Sequence, residues 1–145
     1  MRIDFYSLSA VPLERVLPSI CEKVLQAGER LLIVADDARL ARLDEHLWSY
    51  SAESFLPHAR RDRPNAGLQP ILLSETLEPS NGASNLALAD GVWRDEALAF
   101  ARSFYFFDST QLDAARAAWR ALKNEASAET RYWKQDERGK WVQGP

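Results

Sequence analysis

A single cysteine, Cys21, excludes an internal disulfide and any cysteine-rich metal centre. The two histidines, His46 and His58, form no HxxxH or HExxH spacing. Asp44 and Glu45 sit beside His46, but adjacent helical residues diverge by about 100° and do not converge on one ion. No apolar run approaches the ~20 residues that a bilayer span needs. No charged leader precedes the first apolar segment either, so the expectation is a soluble protein of the cytoplasm with no membrane partner. Six glycines are too few and too scattered for a low-complexity or repetitive chain. No serine lies in a G-x-S-x-G elbow. The acids Asp136 and Glu137 fall in a polar turn and read as solvated surface, so with no catalytic motif in the sequence the chain is expected to have no intrinsic enzymatic activity.

What is present is an ordinary globular balance: 145 residues, 46% hydrophobic and 27% charged, with a net charge of -3. This length suits one domain that buries roughly 70% of its unfolded surface. The acidity argues against a protein that coats nucleic acid with its whole surface. The charge is uneven. There are 10 Lys and Arg against 15 Asp and Glu before position 102, and 8 against 6 from there on. An acidic partner would prefer the last third.

The pattern alternates strand with helix. IDFYSL (3–8) alternates and is rich in aromatic and branched residues, and predicts a first strand. Leu13, Val16, Leu17, Ile20, Val24 and Leu25 recur at helical spacing within 11–27, with Gly28 as a stop; Pro18 inside the pattern is expected to kink or split that helix. RLLIVA (30–35) fits a strand buried on both faces, and Asp36-Asp37 then offers caps for a helix reaching about Trp48. Short strands are expected at 55–57, 71–73 and 86–89, a polar loop over 59–69, a helix over 93–102, a strand over 103–107 and a long helix over 109–126. The tail from Arg131 suits a strand, or a hairpin turning near Gly139. Such alternation implies βαβ units and a mostly parallel sheet covered on both faces, in one domain.

A doubly wound sheet invites a nucleotide, but the turn after the first strand reads SLSAVPLER and holds no glycine through which backbone amides could approach a pyrophosphate. Asp36 lies where a ribose-binding acid would, and reads better as a helix cap; no cofactor is expected. The last helix is more informative. Ala115, Ala118, Leu122 and Ala126 share a core face, while Arg116, Arg120 and Lys123 form a stripe beside it with Trp119 on the boundary. Two readings fit this pattern: a solvated basic edge, or a site for a ligand both acidic and apolar, such as the carboxylate end of a peptide. A second cluster, LDEHLWSYSAESFLPH (43–58), is either a core corner or an exposed partner patch.

In these two segments the chain resembles the chi subunit family of bacterial DNA polymerase III. The resemblance runs through FYSL, RLLIVADD, RLDEHLW, AESFLPH, the A-R-x-x-W-R of the last helix and the closing Y-W-K, in order and over nearly the whole length to Lys134. It implies a Rossmann-like α/β domain over 1–134, followed by a C-terminal extension over 135–145. The implied function is that of a non-catalytic clamp-loader accessory subunit in DNA replication. It would pair with the psi subunit, grip the acidic, apolar-ended C-terminal tail of single-stranded DNA-binding protein, and meet DNA mostly indirectly. The resemblance places the tail on Arg116, Trp119, Arg120 and Lys123, and psi against Trp48, Phe55, Leu56 and Pro57. Trp119 stands where the family often has tyrosine, and Leu112 where it has a basic residue one turn before Arg116. The alternatives are a direct single-stranded nucleic-acid binder or a degenerate nucleotide-binding domain.

Overall fold

The computed structural model describes residues 1–8, 11–49 and 57–144. Eight strands and three α-helices follow in the order β1 (Arg2–Ser7), α1 (Leu13–Gln26), β2 (Leu31–Val34), α2 (Asp37–Ser49), β3 (His58–Arg60), β4 (Ile71–Ser74), β5 (Asn85–Leu88), β6 (Arg102–Phe107), α3 (Leu112–Lys123), β7 (Glu129–Gln135) and β8 (Trp141–Gln143). They build one sheet, ordered β3-β4-β2-β5-β6-β1-β7-β8, parallel except for the β7–β8 hairpin. The class is α/β, as the alternation implies, and Rossmann-like, as the resemblance implies.

Handedness explains which face each connection covers. The chain first steps one way across the sheet, from β1 to β2 to β3, and then returns the other way from β3 to β7. Right-handed crossovers must therefore put the first two helices on one face and the later connections on the other. The core divides accordingly. Leu17, Ile20 and Cys21 of α1 and Leu40, Leu43 and Leu47 of α2 pack with Ile33, Leu73, Phe104 and Phe106. On the opposite face Ala115, Ala118 and Leu122 of α3 pack with Ile3, Phe5, Leu86, Tyr105 and Phe107. Each fully buried Leu, Ile or Phe side chain among them contributes about 1.5–3 kcal/mol of transfer free energy. Cys21 belongs to this packing, and burial pushes its thiol up to about 12, so it is a space-filling group and not a nucleophile.

Pro18 does not split α1, which runs unbroken from Leu13 to Gln26 with Pro18 buried on its core face. Asp36 caps α2 by accepting the backbone N–H of Arg39 at 2.9 Å. The helix expected over 93–102 is not formed; only a short 3-10 turn occupies Asp95–Ala99 before β6 begins. The last helix ends at Lys123, so Ala126 is exposed beyond it instead of joining the core face. The tail does form the hairpin, with Gly139 at φ +80° in its turn. The strand expected at 55–57 begins at His58; positions 55 and 56 lie outside the described residues.

Gly91 carries the sharpest local constraint. Its φ is +74°, and a Cβ there would collide with the side chain of Gln111. That side chain is already held: Nε2 donates to the Asp90 carbonyl at 2.7 Å, and Oε1 accepts the Asp108 amide in a capping box that starts the turn into α3. Gly91→Ala is expected to cost about 2 kcal/mol, through left-handed strain and a disturbed cap. Urea denaturation that puts the variant's stability within about 0.5 kcal/mol of the parent protein's would refute this.

Candidate peptide-binding groove

The crevice to test first for a nucleotide lies outside the carboxyl ends of β1 and β6, which are neighbours whose outgoing helices cover opposite faces. Its cavity measures about 220 Å³ and carries charges of both signs, among them Glu14, Arg39, Arg42 and Asp108. Arg39 is engaged by the Ala89 carbonyl at 3.3 Å, and Asp108 caps the next turn. A larger cleft of about 520 Å³ lies at the ends of β3 and β4. Its cations also have partners, since Arg60 pairs with Asp37, and Arg61 with Glu78 at 2.6 Å. Among the described residues no three His, Cys, Asp or Glu side chains are placed to hold a metal. His58 instead turns its Nε2 to the carboxylate of Asp44 at 3.1 Å, beneath the ring of Trp48.

The groove beside α3 has a different character. It measures about 350 Å³ and is lined by Phe107, Leu112, Arg116, Trp119, Arg120, Tyr132 and Lys134, with Ala115 at its base. The helical period builds it. With Ala115, Ala118 and Leu122 buried, Arg116 and Arg120 fall one turn apart on the exposed side, and Trp119 is left half-buried at the edge. Trp119 is fixed by edge-on contacts with Phe5, at 5.1 Å between centroids, and with Tyr132, at 6.0 Å. Lys123 lies over the indole with Nζ 4.6 Å from its centroid.

The sequence-based set is thus largely brought together. Arg116, Trp119 and Arg120 face one cavity, and Lys123 caps the tryptophan from outside it. Phe107, Leu112 and Ala115 complete the floor, and two contributors from beyond the helix were also not among the expected site residues. Tyr132 and Lys134 reach the groove from β7, two positions apart and therefore on one face of the strand. The pairing of β7 beside β1 was the missing information, because a helix-only reading cannot place a strand that arrives from further along the chain. Lys134 gives the groove a third cation on the side opposite the helix, while Leu112 supplies an apolar patch near its end. Chemically the arrangement offers two planar guanidinium forks and an ammonium around an aromatic and aliphatic floor. It fits an oxyanion attached to an apolar group.

The second expected patch is described only in part. Trp48 is 57% exposed on the last turn of α2 and Pro57 is half-buried, while Phe55 and Leu56 lie outside the described residues. No described helix is long and apolar enough to cross a membrane.

Comparison with known proteins agrees with the sequence pattern. Residues 1–129 match the model of the family described as DNA polymerase III chi subunit, HolC. The DNA polymerase III subunit chi of Escherichia coli (strain K12) is 29% identical over 120 residues, covering 80% of each chain. That of Pseudomonas aeruginosa is 39% identical over 84 residues, 55% of this chain and 58% of the relative. A probable subunit chi from Rickettsia prowazekii is 31% identical over 70 residues, 48% of this chain and 42% of the relative. With residues 1–129 of its 145 matched by the family model, this chain belongs to the DNA polymerase III chi subunit family.

Proposed function

We propose that this protein is a non-catalytic accessory subunit of the DNA polymerase III holoenzyme. In this reading it links the clamp loader, through psi, to the acidic C-terminal tail of single-stranded DNA-binding protein in the bacterial cytoplasm. The observation that carries the reading is the α3 groove, where Arg116, Arg120 and Lys134 surround an apolar floor that includes Trp119 and Tyr132. The guanidinium groups of Arg116 and Arg120 take the terminal carboxylate through paired, charge-assisted hydrogen bonds. The floor desolvates the last apolar side chain of the tail, and Lys134 attracts the acids that precede it. The psi contact is assigned to Trp48, Phe55, Leu56 and Pro57, supported by the exposure of Trp48 beside a helix end.

The test is fluorescence anisotropy of a labelled acidic C-terminal peptide of single-stranded DNA-binding protein, titrated with this chain at two salt concentrations. Saturable binding that weakens with salt and needs the free terminal carboxylate is expected. Equal affinity for the carboxyl-amidated peptide would remove the anchoring role given to Arg116 and Arg120.

A further inference from the structure

A second groove lies on the opposite face of β7. Trp133, between Tyr132 and Lys134, points the other way and lines a cavity of about 260 Å³ between α1 and the strands β1, β6, β7 and β8. Three aromatic rings shape it. Tyr6 and Trp133 lie nearly parallel, 17° apart with centroids at 6.4 Å, and Trp141 stands edge-on to Tyr6 at 5.3 Å. Three cations rim it: Arg2, Lys23 and Arg102. Asp4 lies fully buried beneath and engages both arginines, yet Arg2 and Arg102 keep 31% and 36% of their side chains exposed. One acid against three cations leaves the rim positive. The groove continues along α1 into a smaller cavity of about 90 Å³ that shares Tyr6, Lys23 and Arg102 and ends near Glu29. It is therefore elongated, aromatic at the sheet edge and basic where Arg2, Arg102 and Lys23 line it, with an acid at its far end, on a chain whose net charge is -3.

We propose that this α1-side groove binds single-stranded nucleic acid directly. A base stacks against Trp141 and Trp133, and the neighbouring phosphates lie against Lys23, Arg2 and Arg102. Stacking platforms beside a cationic track are what sequence-tolerant single-strand binding requires. The inference does not rest on the peptide-binding reading of the α3 groove, which uses other residues on the other face.

The experiment is a titration of the full chain into labelled dT15 at two salt concentrations, followed by anisotropy and tryptophan quenching. Saturable binding is expected, with a log–log salt slope near -2 for about three phosphate contacts. Trp141→Ala and Lys23→Glu should each weaken it about tenfold or more, while Arg116→Ala and Arg120→Ala leave it unchanged. Lys23 is exposed on α1, so its variant reports on the groove even if the tryptophan variant disturbs the hairpin. The proposal is overturned by any of four results: no binding, an abasic strand of equal length bound as tightly, a glutamate-rich peptide of equal charge bound as tightly, or a loss confined to the Arg116 and Arg120 variants.

Discussion

Replacing Asp4 with alanine is expected to destabilise the protein by about 3 kcal/mol, the low end of the cost of removing one member of a buried ion pair. Asp4 is fully buried at the centre of β1. Its Oδ1 accepts the indole N–H of Trp133 at 3.0 Å, and its Oδ2 accepts Arg102 Nε at 3.1 Å and pairs with Arg2 Nε at 3.2 Å. One carboxylate therefore joins β1 to β6 on one side and to β7 on the other. Without it the two arginines can turn toward water, which holds the cost at the lower end, but the indole N–H of Trp133 loses its acceptor. Asp4→Asn keeps an acceptor for the indole and should lose about half as much. The hydroxyl of Tyr6 gives an independent readout. Burial first, and the charge of Asp4 second, push it up to about 12, so its ionisation midpoint should fall in the Asp4→Ala variant. Urea denaturation showing less than about 1 kcal/mol of loss for alanine would refute the assignment.

Arg120→Glu is expected to weaken binding of the acidic tail peptide about a hundredfold, equivalent to about 2.7 kcal/mol. A lost charge-assisted hydrogen bond accounts for about 1.5–3 kcal/mol by itself. The reversed charge adds repulsion, screened because the groove is open to solvent. Arg120 is exposed on α3 and no salt bridge holds it among the described residues, so the change should leave stability within about 0.5 kcal/mol of the parent protein. Calorimetric titration checks the affinity and urea denaturation the stability, since the variant must stay folded while its affinity falls. Unchanged affinity would move the tail away from α3.

The elements that the sequence announces are those whose pattern is settled locally. The apolar run 31–34, the helical spacing from Leu13 to Val24 and the alanine face of α3 each hold a period long enough to be read, and each is found. The failures have physical causes. Residues 93–102 carry helix-forming DEALA, but Gly91 in a left-handed conformation starts the segment. The indole N–H of Trp93 then bonds Asp95 at 2.9 Å, and the chain must reach β6 within a few residues. Pro18 fits α1 because it lies early in the helix, where one lost amide bond is tolerated by a packed apolar face. For the candidate groove, the stripe of Arg116, Trp119 and Arg120 was legible because one helix carries all three, although its period fits a solvated edge as well as a site. Tyr132 and Lys134 were not, because their approach depends on which strand pairs beside β1, a long-range choice that no local period encodes.

The alternation of β7 also sets the molecule's tolerance for error in that strand. Tyr132 and Lys134 face one groove and Trp133 faces the other, so sliding β7 by a single residue would deliver the indole to α3 and the ammonium to α1. Such a frame shift could preserve much of the backbone ladder while scrambling both surfaces at once. The Trp133–Asp4 hydrogen bond, together with Gly144 lying against the ring of Tyr132, leaves one frame open to the strand. The acid buried within β1 is thus a phasing mark for the last strand to join this side of the parallel sheet.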